Sequence, residues 1–267
     1  MTSGLSGVAL VRQDLIEEQD ALDTAIGDLD DTEWAKPTAS PRWSVTDQVG
    51  HLTYFDGTAA LAITDPDGFS AHLEELMRLL TDAHAVEEET LGAYRKMEPG
   101  ELLDAWRAGR RALAEASATL GDDDRVVWYG PSMGSKSFLT ARLMECWAHG
   151  IDVLDAVGRR TEPTDRLYHI ARLGFNTRGW SYVNNKREVP SVDVRVELVA
   201  PSGEVWTFGP DEAMESIVGP AIDFCQVVTQ RRHVEDTALA VAGAAATEWM
   251  SIAQAFAGPP TTGPEPR

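Results

Sequence analysis

Residues 136–157 read KSFLTARLMECWAHGIDVLDAV and carry the clearest helical pattern in the chain. Apolar side chains recur there at the spacing of one helix face. Gly158 follows directly and suits a left-handed helix end. Glu145 and His149 are four positions apart, so they project from the same side of the helix. This helix therefore presents a carboxylate and an imidazole side by side.

The part of the chain before this helix repeats the helical pattern. One helix is predicted to start after Ser44, a good N-cap with Asp47 three residues later, and to end at the Asp65-Pro66 break. Helices are predicted over residues 3–30, 45–64, 69–96, 100–120 and 136–157. Amphipathic helices of this kind, joined by loops, bury their apolar faces against one another. A helical bundle is therefore expected over residues 1–160.

The pattern changes in the last third of the chain. Apolar and charged residues alternate over 192–198, and VWTF at 205–208 follows a turn, so a β-hairpin is predicted. Helices are predicted over residues 164–177, 214–231 and 238–256. The chain is thus expected to be α+β, with a small α+β domain at 161–257 and a disordered tail at 258–267.

Composition limits the function. The formal charge of −20 disfavours nucleic acid and anionic lipid, which both require a cationic protein surface. No apolar stretch is long enough to cross a membrane, and the N-terminus lacks the features of an export signal, so a cytoplasmic location is expected. The two cysteines, Cys146 and Cys225, are expected to fill core space rather than to act as nucleophiles.

The residues that carry chemistry are Glu145 and His149, since a carboxylate and an imidazole four residues apart can chelate one cation. Asp152 is either a further ligand or the group that accepts the second N–H of His149. His51 is the best candidate for a third ligand, and two histidines with one glutamate would describe a catalytic zinc site with an open position. The alternatives are a helix-stabilising surface pair at 145/149 and a core histidine at 51.

The other polar residues of this region are given structural roles. Arg142 is expected to pair with an acid on its own helix, and Trp43 to close the end of the bundle. The loop at 126–137 precedes the ligand helix and is expected to line a pocket. Its candidate contacts are Trp128, Tyr129 and Met133. The remaining histidines, which have charged neighbours, are expected on the surface: His72, His84, His169 and His233.

Two segments resemble a known family. WSVTDQVGHL, residues 43–52, resembles a segment of the DinB-like metal-binding superfamily, and RLMECWAHGID, residues 142–152, is similar to the matching helix of its mycothiol-dependent maleylpyruvate isomerase branch. The late segment FGP…AIDFCQVVTQRR, residues 208–232, is similar to an actinobacterial group of metal-binding proteins that carries a wyosine base formation label. That label establishes no role in wyosine synthesis.

The resemblance implies an N-terminal four-helix bundle and a smaller C-terminal domain. It also implies that His51, Glu145 and His149 ligate a divalent metal, with zinc as the expected ion. The resemblance further implies that the enzyme uses mycothiol as a cosubstrate. The thiol would be transferred to a small electrophilic metabolite or would catalyse its isomerisation. One arginine of the C-terminal domain would assist, and Arg231 or Arg232 is its counterpart, with the register open.

Other functions stay open at this point. The metal could instead serve a hydrolase or cyclase that needs no thiol, with Asp152 or a loop acid such as Asp56 as the base. The chain could also be a non-catalytic metal- or ligand-binding protein, or a helical interaction domain without metal. No nucleic-acid or membrane partner is expected, and the chain is expected to be a monomer or a homodimer.

Overall fold

The computed structural model describes residues 5, 7–80, 82–261 and 263–267. The chain divides into two compact units, Met1–Thr161 and Glu162–Arg267. None of the helices in the described part of the chain has both the length and the apolar character needed to span a membrane. The α+β class, with helices first and a small sheet later, is the one expected from the sequence.

The first unit is a bundle of four long helices with shorter ones around it. Its helices are α1 Gly7–Ile26, α2 Asp31–Trp34, α3 Val45–Thr64, α4 Pro66–Leu79, α5 Ala83–Leu91, α6 Pro99–Ser117 and α7 Ser135–Val157, and its two short strands are β1 Arg125–Val126 and β2 Met133–Gly134. Helix α3 packs on α6 and α7, and α1 packs on α7 and α6. The predicted start of α1 at Ser3 lies outside the described residues.

The apolar stripes of these helices meet in one core. Val49 and Leu52 of α3 and Trp106 of α6 are fully buried there beside Val153 of α7. Burial of an aliphatic or aromatic side chain of this size stabilises a fold by about 1.5–3 kcal/mol. The helix predicted over 69–96 is instead the pair α4 and α5, because the Asp82 carboxylate caps a new helix by accepting from the backbone of His84 and Ala85.

The second unit packs helices against a mixed sheet. Its helices are α8 Leu167–Asn176, α9 Arg178–Asn184, α10 Ala221–Val228 and α11 Ala244–Ile252, and its strands are β3 Val194–Val199, β4 Val205–Phe208, β5 Glu215–Pro220 and β6 Ala240–Ala242. Within the described residues, the strand order is β4-β3-β5-β6. The predicted hairpin is the antiparallel pair β3–β4, with Val196 opposite Phe208.

The prediction of two helices at residues 214–231 and 238–256 is partly wrong. Residues 215–220 form strand β5, parallel to β3, and residues 240–242 form β6. Ile217 is completely buried in β5 between neighbouring strands. Gly219 and Pro220 end that strand, and Pro220 is the N-cap of α10, because proline fits before a helix but not inside it. Sheet pairing therefore overrides the apolar pattern that suggested one long helix.

The tail predicted to be disordered has no helix or strand among its described residues. The Thr261 carbonyl accepts a hydrogen bond from Gln230 Nε2 at 2.9 Å, and the Gly258 carbonyl accepts one from Asn184 Nδ2 at 3.1 Å. Disorder of residues 258–267 stays a prediction.

Replacing Gly174 with alanine is expected to destabilise the second unit by about 1–2 kcal/mol. A Cβ there would lie 2.7 Å from Val228 Cγ2, where α8 packs on α10, and such overpacking costs about 1–3 kcal/mol, partly offset by the better helix propensity of alanine. Thermal unfolding followed by circular dichroism measures the change. Gly179→Ala is the matched control, since nothing lies near its Cβ position. Equal midpoints for both variants would contradict the packing argument.

Candidate metal centre

Helix α7 supplies two of the three candidate ligands. The spacing of Glu145 and His149 places His149 Nε2 3.0 Å from Glu145 Oε2. The His149 side chain is buried, whereas the Glu145 side chain is 23% exposed. The surface pair considered from the sequence is therefore not what the helix forms, because the two side chains face the bundle.

Helix α3 supplies the third candidate ligand, His51. The helix begins at a capping box, in which Ser44 accepts from the Asp47 backbone and Asp47 accepts from the Ser44 backbone. Two turns later, His51 Nε2 lies 3.4 Å from Glu145 Oε2, and its side chain is 18% exposed. The ring centroids of His51 and His149 are 4.3 Å apart. The packing of α3 on α7 thus brings together residues that are 94 positions apart in the chain.

The three side chains fit a divalent cation. Their ligand atoms all lie within 4.8 Å of one another, in the one such His/Cys/Asp/Glu group found in the described part of the chain. Two ligands about 2.1 Å from a shared zinc ion, at a tetrahedral angle, are about 3.4 Å apart. The His51–Glu145 separation of 3.4 Å equals that value, and the His149–Glu145 separation of 3.0 Å is 0.4 Å shorter. Two imidazoles and one carboxylate form the donor set of catalytic zinc sites, which keep a further position open.

The charge state of Glu145 suits this role. Burial by itself raises the pKa of the Glu145 carboxyl, but hydrogen bonds from His149 and His51 outweigh it and hold that pKa well below its usual range. The carboxylate is therefore ionised at neutral pH, as metal ligation requires.

Gln48 lies at the far side of the His149 ring, and a direct role of Asp152 at this ring stays a prediction. His149 Nδ1 lies 2.5 Å from Gln48 Oε1, and Gln48 Nε2 lies 3.4 Å from Asp152 Oδ2. Gln48 therefore links the imidazole to the carboxylate that the sequence suggested as its partner. Sequence reasoning missed Gln48, although its position one helical turn before His51 placed it on the same face of α3.

Aromatic rings surround the two histidines. The Trp43 ring centroid lies 5.3 Å from that of His51 and 6.0 Å from that of His149, and the Phe55 ring lies 4.5 Å from His51 on the other side. Trp43 is half-buried. Trp43 therefore lies beside the candidate site, and its expected role in closing the bundle end stays a prediction.

The loop before α7 continues this aromatic cluster. The Tyr129 ring lies 5.3 Å from Phe55, and the Trp128 ring stacks on Phe69 at 5.5 Å. Met133 lies in β2 opposite Val126. Trp128 and Tyr129 thus reach the neighbourhood of His51 through Phe55. A role for Trp128, Tyr129 or Met133 in substrate binding stays a prediction.

A buried ion pair lies beside the cluster and corrects two expectations. Arg142 pairs with Asp56 of α3, at 2.8 Å, and not with an acid on its own helix. Asp56 lies in a helix rather than a loop, and it also accepts hydrogen bonds from Gln19 at 2.9 Å and Trp106 at 3.3 Å. With 1% exposure and all these donors, Asp56 is not placed to act as a general base.

His72 also differs from its expectation as a surface residue. Its ring is half-buried, with Nε2 2.8 Å from the Tyr54 hydroxyl, because α4 packs on α3. Burial raises the pKa of Tyr54, so its hydroxyl stays protonated. His84 is exposed as expected, whereas His169 and His233 are half-buried.

The sequence also singled out two cysteines and two late arginines. Cys146 and Cys225 are buried, and burial raises the pKa of both thiols, which makes them poor nucleophiles. Arg231 and Arg232 follow α10 in the second unit. Arg231 Nη1 donates to the Thr229 carbonyl at 2.7 Å, and Arg232 Nε donates to Gln226 Oε1 at 3.0 Å. A catalytic role for either arginine stays a prediction.

A four-helix bundle with a His/Glu/His cluster between two of its helices defines a DinB-like protein. The family model of the mycothiol maleylpyruvate isomerase N-terminal domain matches residues 15–154, and this chain belongs to that family. Two relatives, the uncharacterized proteins MT0041 and Rv0036c of two Mycobacterium tuberculosis strains, are each 40% identical to it over 250 residues. Each match covers 94% of this chain and 96% of the relative.

Solved structures show the same fold. The crystal structures of a mycothiol-dependent maleylpyruvate isomerase and of a mutant of it superpose with TM-scores of 0.55 and 0.56. Their sequences are 16% and 14% identical to this one, and the matches cover 85% of this chain and 90% of theirs. The likeness shows that the fold is shared over 85% of this chain.

Proposed function

We propose that this protein is a zinc-dependent enzyme that uses a low-molecular-weight thiol, mycothiol. The thiol either isomerises a small electrophilic metabolite or is itself transferred to it through its sulfur atom. The observation that carries the proposal is the convergence of His51, Glu145 and His149 within the family's N-terminal domain. The fold it shares with structures named mycothiol-dependent maleylpyruvate isomerase supports the choice of thiol.

Two of the three candidate ligands are accessible from outside the bundle. His51 and Glu145 are partly exposed, whereas the far edge of the His149 ring is closed by Gln48. When bound, a divalent cation favours the thiolate form of a ligating thiol and so supplies a nucleophile at neutral pH. The residues of the chain hold the three donor atoms in place, and the Trp43 and Phe55 rings limit the access of water to them.

Isomerisation and S-transfer begin with the same step, the formation of a carbon–sulfur bond. A thiolate that adds to the electrophilic carbon of a conjugated carbonyl compound forms a carbon–sulfur bond, and the electron pair of the double bond moves to the carbonyl oxygen. If the sulfur leaves again after rotation about the former double bond, the result is cis–trans isomerisation. If a proton is taken up at carbon and the sulfur stays, the result is an S-transfer.

Titration calorimetry of the zinc-loaded protein with mycothiol tests the proposal. Saturable binding is expected, because the thiolate can occupy the open position. The matched control ligand is S-methyl mycothiol, which keeps the sugar and inositol groups but cannot form a thiolate, and it is expected to bind far more weakly. Absence of mycothiol binding, or equal binding of both compounds, would refute the thiol-dependent function. Turnover of an electrophile without any thiol would favour a hydrolase instead.

A further inference from the structure

Gln48 is completely buried on α3, one helical turn before His51. Its amide group contacts residues from two other parts of the first unit, the loop before α3 and helix α7. The amide nitrogen lies 2.8 Å from Thr38 Oγ1, 3.0 Å from Ser40 Oγ and 3.4 Å from Asp152 Oδ2. A buried amide with this many partners is held in one position.

The partners also determine which way the amide points. Thr38 and Ser40 hydroxyls can donate or accept, but an ionised carboxylate such as Asp152 only accepts. A flipped amide would therefore place its carbonyl oxygen against the Asp152 carboxylate, and two acceptors repel each other. The nitrogen of Gln48 consequently faces Asp152, and its oxygen faces His149 Nδ1, at 2.5 Å.

The oxygen of Gln48 in turn selects the proton position on His149. An amide oxygen can only accept, so Nδ1 of His149 must carry the hydrogen. Nε2, which lies 3.0 Å from Glu145 Oε2, is then the nitrogen whose proton a bound cation would replace. That is the form of imidazole that ligates a metal through Nε2.

We propose that Gln48 is a positioning residue that holds His149 in the Nδ1–H form and aims Nε2 at the cation. The proposal rests on the proposed function, since it concerns the same metal site. Gln48 contacts both groups, so Asp152 orients the amide that in turn orients the imidazole. Glu145 is the one carboxylate among the three candidate ligands, and the Gln48 amide beside His149 is neutral. The site therefore keeps net positive charge when a divalent ion is bound, which favours an anionic thiolate as the next ligand.

Zinc affinity of the full chain, measured by competition with a chromophoric chelator, tests the proposal. Gln48→Leu keeps the side-chain size but removes the acceptor, and it is expected to weaken zinc binding about 10- to 100-fold. Gln13→Leu, on the outer side of α1, is the matched control and is expected to bind zinc as the wild type does. The double variant Gln48→Glu/Asp152→Asn reverses the polarity of the pair and restores an acceptor, so it is expected to bind within a few-fold of the wild type.

A second measurement does not depend on the folding of variants. Nitrogen NMR of the zinc-loaded wild-type protein is expected to show His149 protonated at Nδ1 and zinc-bound at Nε2. Wild-type affinity in Gln48→Leu, equal loss in the double variant, or zinc at Nδ1 would each overturn the role of Gln48 while leaving the metal site standing. No zinc binding by the wild type would instead overturn the proposed function together with this inference.

Discussion

His51→Ala is expected to weaken zinc binding by about a hundredfold or more. Zinc sites with four protein ligands contribute about 10–16 kcal/mol, or about 2.5–4 kcal/mol per ligand, and each 1.4 kcal/mol is a factor of ten. Here the loss leaves two ligands on α7, Glu145 and His149, and none on α3. A chelator-competition titration measures the affinity, and elemental analysis of the purified protein measures zinc content.

The fold is expected to survive this change, because His51 is partly exposed and the core residue beside it, Leu52, is untouched. Circular dichroism and the thermal midpoint check this. The matched control is His84→Ala, an exposed histidine at the start of α5, which should keep full zinc content. Mycothiol binding is expected to fall with zinc content. A His51→Ala protein with wild-type affinity would exclude His51 as a ligand.

Asp56→Asn is expected to lower the free energy of unfolding by about 3–5 kcal/mol. The variant keeps the shape of the side chain but leaves the Arg142 guanidinium, which is 3% exposed, without its counter-charge. Breaking a buried ion pair on one side has a cost of this size because the remaining charge is desolvated. Urea unfolding followed by circular dichroism measures the loss.

A double-mutant cycle measures the interaction energy between Asp56 and Arg142. Removing both charges, in Asp56→Leu/Arg142→Met, is expected to destabilise by less than the sum of the single changes, because no buried charge stays unpaired. The matched control is Glu75→Ala, which breaks the exposed Arg78–Glu75 pair on α4 and should leave unfolding unchanged. If the single changes at positions 56 and 142 were additive, the two charges would not be coupled in the folded protein.

The candidate ligands could be predicted from local patterns and the family resemblance. Glu145 and His149 share a helix face whatever the tertiary structure is, since four residues make about one turn. His51 could be proposed, but only the packing of α3 on α7 brings its Nε2 to within 3.4 Å of Glu145. No local pattern distinguishes that outcome from a core histidine.

The errors have the same origin. Arg142 pairs with Asp56 on another helix of the bundle. The prediction of a partner on the helix of Arg142 considered only residues close in sequence, and it was therefore wrong. The short apolar run at residues 215–220 fits the period of a helix and also that of a strand. Pairing with the neighbouring strand β3 makes it strand β5. In each case the deciding contact comes from a residue far away in the chain.

The amino-acid sequence by itself determined the helical pattern of the first unit, the β-hairpin of the second, and the side-by-side placement of Glu145 and His149, because backbone geometry and the burial of apolar faces act over a few residues. The tertiary structure alone decided that Gln48 stands between His149 and Asp152 and that Arg142 meets Asp56. A buried polar group must find a partner wherever the packed helices offer one, and that partner is set by the arrangement of whole elements.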